Sequence, residues 1–147
     1  MAFLNSLNIS GSALTASRLR MDVVSENIAN ATTTRTVEGG PYRRKMVVYE
    51  AKEDGDFRSL LAKNMAAASP ENKGVKVAAI VEDQTPFNIV YDPENPDANK
   101  QGYVEMPNVD LVKETIDMMA VTRAYDANLT VLNAVKSMAA KALEIGR

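Results

Sequence analysis

The chain has no histidine, no cysteine and no tryptophan among its 147 residues. These absences remove the side chains that usually titrate near neutral pH, the thiol nucleophiles and the soft metal ligands. They argue against an enzyme, although carboxylate and lysine chemistry stays open. Glycine (7) and proline (6) are too sparse for a low-complexity chain. A net charge of −2 and a pI near 5.2 leave no basic patch for a phosphate backbone, so nucleic acid is not an expected partner. No run approaches the roughly 20 apolar residues of a membrane span. The opening residues, Met1-Ala-Phe-Leu-Asn-Ser-Leu-Asn-Ile-Ser10, lack the basic and sustained apolar regions of a cleaved secretory signal. The lack of thiols suits a reducing or an oxidising compartment equally.

What is present is helical periodicity at both ends. Residues 108–145 contain neither Pro nor Gly and are rich in Ala, Leu, Met and Lys, which predicts one helix. Asn108, after Pro107, is the expected N-cap, and Gly146 the expected residue past the C-terminus. Such a helix runs roughly 57 Å. A compact chain of this length has a radius of gyration of only about 15 Å, so other molecules are expected to cover part of the helix. Two apolar stripes are expected on it. One is Met118, Thr122, Tyr125, Leu129, Leu132, Ala139 and Leu143; the other is Val121, Ala124, Val131, Val135, Met138, Ala142 and Ile145. A helix apolar on two faces is buried by more than one neighbour. Asp110, Glu114 and Asp117 sit early and Lys136, Lys141 and Arg147 late, which complements the macrodipole.

At the other end, Phe3, Leu7, Ser10, Leu14, Ser17, Met21, Val24 and Ile28 recur at alternating spacings of four and three. That is a helix with a seam, large on one edge and small on the other. The pattern stops at Asn30-Ala-Thr-Thr-Thr34, where polar and β-branched residues disfavour helix.

The middle is irregular. After the break at Gly39-Gly40-Pro41, strands are expected at 42–49, 75–81 and 87–91, with an acidic turn at 53–56 and a short helix at 57–68. Residues 92–102 read as turns. Counted as a calcium loop from Asp92, they place Asp97 and Tyr103 where Gly and Glu are required, so a solvated loop is the better reading. Asp54, Asp56, Glu82 and Asp83 lie in or beside turns, where carboxylates are solvated by default, and no catalytic, metal or cofactor site is assigned. The expected fold is mainly α. Long N- and C-terminal helices pair as a coiled coil, with a small antiparallel β domain between them. The expected division is 1–34, 35–106 with an extra segment at 50–73, and 107–147. A soluble helical adaptor or secretion chaperone is the alternative to an assembly subunit.

Two segments narrow the choice. Ser25-Glu-Asn-Ile-Ala-Asn-Ala-Thr-Thr-Thr-Arg35 lies at one end of the chain. Gly102-Tyr-Val-Glu-Met-Pro-Asn-Val-Asp110, Ala120-Val-Thr-Arg-Ala-Tyr-Asp-Ala-Asn128 and Lys136-Ser-Met-Ala-Ala-Lys-Ala-Leu-Glu-Ile-Gly146 lie at the other. Together they resemble the terminal signatures of the bacterial flagellar axial rod and hook proteins, and within that family its proximal rod members. The resemblance covers residues 5–50 and 75–147. It implies a structural subunit of the basal-body rod, exported unfolded by the flagellar type III apparatus without a cleaved signal peptide. Such a subunit polymerises in the periplasm into a helical tube that transmits motor torque and conducts export. The implied partners are other rod subunits, copies of itself, the export apparatus and the membrane ring around the rod base, with no cofactor and no small-molecule substrate. The expected assembly interface is Leu7, Leu14, Met21, Val24, Asn27, Ile28 and Asn30 on the first helix. Pro107, Asn108, Val109, Met118, Tyr125, Asn128, Leu129, Leu132, Val135 and Leu143 complete it.

Overall fold

A computed structural model describes residues 2–37, 39–52 and 74–145. The turn expected at 53–56, the helix expected at 57–68 and Gly146 lie outside the described residues. The elements are α1 (Ala2–Ala29), β1 (Lys45–Ala51), β2 (Val75–Glu82), β3 (Asn88–Tyr91), β4 (Tyr103–Met106) and α2 (Leu111–Ile145). The chain is mainly helical with a small antiparallel β unit between two long helices, as expected. β4 is a strand that the sequence pattern had not marked.

α1 ends where side chains begin to compete for backbone groups. Asn30 Nδ2 donates to the Glu26 carbonyl at 2.9 Å, and Thr33 Oγ1 to Asn30 Oδ1 at 3.2 Å. α2 starts two residues later than the expected N-cap implies. Asp110 Oδ1 accepts the amides of Val112 at 3.0 Å and Lys113 at 3.3 Å, so Asp110 and not Asn108 is the N-cap. The Lys113 amide, with that of Val112, holds the Asp110 carboxyl below its usual pKa. Asn108 cannot cap because its side chain is engaged elsewhere. It accepts from the Arg44 amide at 2.9 Å and donates to Thr85 Oγ1 at 2.8 Å and the Asp83 carbonyl at 3.1 Å.

The chain forms two compact units. The first contains α1 up to Arg18, β1 from Tyr49, β2 as far as Ala78, and α2 from Arg123. Its strands pair antiparallel, with the Lys52 amide donating to the Gly74 carbonyl at 2.9 Å beyond the ladder. They are tied to α1 by Tyr49 Oη donating to the Ala16 carbonyl at 3.4 Å and the Val75 amide to Ser12 Oγ at 3.1 Å. Ser10, Ala16 and Val135 are buried here.

The second unit contains Leu19–Val48 and Ala79–Thr122. β1 and β2 continue in it, closed by the Asp83 amide on the Arg44 carbonyl at 2.8 Å. β3 and β4 form a separate antiparallel hairpin pairing Ile89 with Glu105 and Tyr91 with Tyr103. α1 and α2 run antiparallel in this unit: Met21 lies against Thr122, Arg20 against Asp117, and Asn27 against Glu114. Val23, Val24, Tyr42, Val104, Val109 and Val121 form its apolar core.

The two helices exchange the roles the sequence suggested. On α2, Glu114, Met118, Val121, Tyr125, Asn128, Leu132, Val135 and Ala139 follow one another at alternating spacings of four and three, and these, with Asp117, are the buried or half-buried positions described. This single seam takes members from both expected stripes and leaves Thr122, Ala124, Leu129, Val131, Met138, Ala142 and Leu143 exposed. α1, with strands beside it, is covered on two adjacent faces, through Ser10, Leu14, Ser17, Met21 and Val24 and through Ala13, Ala16, Arg20, Val23 and Asn27.

Candidate assembly surface

The second unit is organised by a polar cluster. Asn27, 1% exposed, uses both ends of its amide. Its Oδ1 accepts from Tyr42 Oη and from the Lys45 amide, each at 2.9 Å. Its Nδ2 donates to the Lys45 carbonyl at 2.9 Å and to Glu114 Oε2 at 3.1 Å. The other oxygen of Glu114 accepts from Arg44 Nε at 2.6 Å. The Arg44 guanidinium also reaches Asp83 at 3.7 Å and Asp117 at 3.5 Å. Burial alone would lower the Arg44 pKa, but the hydrogen bond and charge of Glu114, helped by Asp83 and Asp117, raise it above its usual value. The Tyr42 hydroxyl is pushed up to about 12 by burial and by the charges of Glu26, Glu114 and Glu82. α1, β1 and α2 are thereby joined through groups whose buried polar atoms are all satisfied among the described residues.

The cluster holds α1, β1 and α2 together, and its Arg44, Asp83 and Asp117 also line an open cavity with Asn108, Asp110 and Lys113. Among the described residues no three acidic side chains converge on a metal position. The 92–102 loop uses its acceptors on itself and on α1's exit. Asn99 Oδ1 takes the Gln101 and Tyr103 amides at 2.9 and 3.0 Å, and Asp97 Oδ2 takes Thr34 Oγ1 at 2.8 Å.

The apolar side chains show a different division. Among the side chains described, the buried apolar ones are Ala, Val, Pro107 and one Tyr; every Leu, Ile, Met and Phe is half-buried or exposed. α2 carries more of the open ones than any other described element: Leu111, Val112, Ile116, Met119, Leu129, Val131, Met138 and Leu143. Among the described residues no helix is long and apolar enough to cross a membrane.

The residues expected at an assembly interface fall into three groups. Val24, Asn27, Pro107, Val109 and Val135 are buried within the chain. Leu7, Leu14, Met21, Ile28, Asn30, Asn108, Met118, Tyr125, Asn128 and Leu132 are half-buried. Leu129 and Leu143 are open, Leu143 at 76%. From sequence Glu114 reads only as an early acid complementing the macrodipole, and Arg44 and Tyr42 only as part of an expected strand. Extending the alternating register backwards from Val121 through Met118 lands on Glu114, and that spacing was the available signal.

Comparison with known proteins bears on these helices directly. Residues 7–35 match the family described as "Flagella basal body rod protein", and residues 100–145 match "Flagellar basal body rod FlgEFG protein C-terminal". The chain is 52% identical to the flagellar basal-body rod protein FlgC of Bacillus subtilis, covering all of both chains. It is 44% identical to FlgC of Escherichia coli O157:H7, again over all of both, and 43% identical to FlgC of Borreliella burgdorferi over 99% of this chain and 98% of that one. The chain belongs to the FlgC family of flagellar basal-body rod proteins.

As a FlgC-family member the chain is a structural subunit of the flagellar basal-body rod and not an enzyme. One matched segment holds α1 from Leu7 with its Asn/Thr exit, and the other holds β4 and α2. Asn27 and Glu114, which meet inside the second unit, come one from each. Tyr42 and Arg44 come from the intervening chain. The FlgC signature is thus read mainly on helices whose large apolar side chains the subunit itself leaves uncovered.

Proposed function

We propose that this rod subunit polymerises through its terminal helices, 1–34 and 107–147, into a helical tube spanning the periplasm. Copies of itself and other rod subunits pack along the uncovered faces, and the turn at Asn30–Thr34 sets how the N-terminal helix leaves the tube wall and enters residues 35–106. The tube transmits motor torque and conducts export. The subunit reaches it unfolded through the flagellar type III apparatus, without a cleaved leader, and the membrane ring surrounds the finished rod base. The observation that carries this reading is that every described Leu, Ile, Met and Phe side chain is incompletely buried. Burying an exposed side chain of that size contributes about 1.5–3 kcal/mol, so the open ones on α2 are together a large driving force left for neighbours.

Leu129 is the natural probe because it is 39% exposed. A charge there is tolerated by the free subunit but costs several kcal/mol inside a dry helix contact. Leu129→Asp should therefore fold, with an unchanged circular-dichroism melt, and fail to enter basal bodies purified from cells lacking the native protein. Normal incorporation and swimming would exclude this face of α2 from the assembly.

A further inference from the structure

The outward face of the β3–β4 hairpin is aromatic and apolar with an acidic edge. The register puts Ile89, Glu105, Tyr91 and Tyr103 on one face, and all four are exposed, Ile89 at 68% and Tyr91 at 64%. Val104, on the other face, is 2% exposed and anchors the hairpin in the core. The two tyrosine rings meet edge to face with centroids 5.2 Å apart. Gly102, at φ +82°, leaves the room they need, since a Cβ there would lie 2.8 Å from Tyr91 Cε2. A pre-set aromatic pair standing in water has the composition of an interface anchor.

A second open surface lies on α2. Val131, Ala134, Met138 and Lys141 follow at spacings of three, four and three, so they share one row. All are exposed, Val131 at 49% and Met138 at 61%. Residues 127–143 carry two lysines and no acid, whereas residues 88–106 carry four acids and one lysine. Neither Glu105 nor Lys141 has an ion-pair partner among the described residues.

We propose that the two surfaces are each other's partners in different copies: the hairpin face of one subunit docks on the Val131–Met138 row of a second, with Glu105 meeting Lys141. Ile89, paired with Glu105, then packs on Met138, one helical turn from Lys141. The tyrosines lie toward Val131, where Ala134 lets the rings approach the helix closely and the Met thioether suits an aromatic edge. Each surface is exposed in the subunit. The contact joins two unlike patches and therefore propagates from copy to copy, as an extended assembly requires. It rests on the reading of α2's open face as an assembly surface and adds what covers it.

The absence of cysteine from the chain makes a direct test available. Full-length Ile89→Cys and Met138→Cys variants, with tags of different size, are co-expressed in cells lacking the native protein. Purified basal bodies are then oxidised and run without reductant. A disulfide-linked heterodimer is expected at several times the yield of a control pair, Ile89→Cys with Val112→Cys. Yields equal to the control in rods containing both variants would overturn the contact, and so would linkage of Ile89→Cys to a rod protein of another mass. If the cysteine variants do not enter the rod, charge reversal decides. Glu105→Lys should lower incorporation several-fold and Lys141→Glu in the same chain should restore most of it, whereas additive losses would refute the pairing. Leu129→Asp separates the two readings, because its normal incorporation beside a positive cross-link would remove the wider reading and leave this contact standing.

Discussion

Arg44 Nε donates to Glu114 Oε1 at 2.6 Å, and the Glu114 side chain has no exposed surface at all. Asn27 holds the second carboxylate oxygen at 3.1 Å. A carboxylate this dry is tolerable only while both oxygens have donors and its charge has a counter-ion.

Removing the cation should therefore do more harm than neutralising the anion. Arg44→Ala strands the Glu114 charge and is expected to lower the unfolding free energy by about 3–5 kcal/mol. Glu114→Gln keeps an acceptor for Arg44 and should cost less. Urea denaturation of the purified chain followed by circular dichroism compares them, and equal losses would show that compensation of charge is not what Arg44 supplies.

Tyr42 makes the same cluster sensitive to alkali. Its hydroxyl donates to Asn27 at 2.9 Å, and burial, with three nearby carboxylates, raises its pKa to about 12. The folded state keeps the proton where the unfolded chain, titrating near 10, has lost it. Stability is therefore undiminished below about pH 10 and falls as pH rises towards 12, by no more than about 1.4 kcal/mol per pH unit. Absorbance of the phenolate should show a tyrosine titrating near pH 12 that is missing in Tyr42→Phe. A spectrum unchanged by that substitution would place the late titration elsewhere.

The helices were legible in the sequence because long uninterrupted periodicity reports them directly. The number of covered faces on each helix was not. Val121 and Val135 belonged to one expected stripe and Met118, Tyr125 and Leu132 to the other, yet they form a single seam because alternate turns of both stripes fall on the same side of the helix. β4 was hidden because Tyr103–Met106 is four residues long and its strand character comes from pairing with β3. The Arg44–Glu114 pair was hidden for a different reason. A carboxylate in the first turn of a helix ordinarily faces water and the macrodipole. Only the tertiary placement of β1 brings a guanidinium to it.

Gly74 fixes how β2 leaves α1's side in the first unit. It sits at φ +114°, and a Cβ there would run into the Ser12 side chain, whose Oγ accepts from the Val75 amide at 3.1 Å. Gly74→Ala must break that bond and strain the backbone, at a cost of about 1–3 kcal/mol. Amide exchange at Val75 should quicken accordingly. Ser12→Ala removes the clash along with the acceptor, so it should recover part of the loss when combined with Gly74→Ala. A double mutant no more stable than Gly74→Ala alone would locate the strain in the backbone angle rather than in Ser12.

Val135 and Met138 lie three residues apart on α2 and separate folding from assembly. Val135 is 8% exposed in the seam, while Met138 is 61% exposed. Val135→Ala removes the equivalent of two buried methylenes and should destabilise the free subunit by about 1.6 kcal/mol or more. Met138→Ala exposes nothing new and should stay within about 0.5 kcal/mol of the parent. In the rod the ranking should invert, because Met138 is buried only when a neighbour arrives. Melting curves of the free chain and the amount of each variant in purified basal bodies give the two orders, and the same order in both would mean that the open row on α2 stays in water in the finished rod.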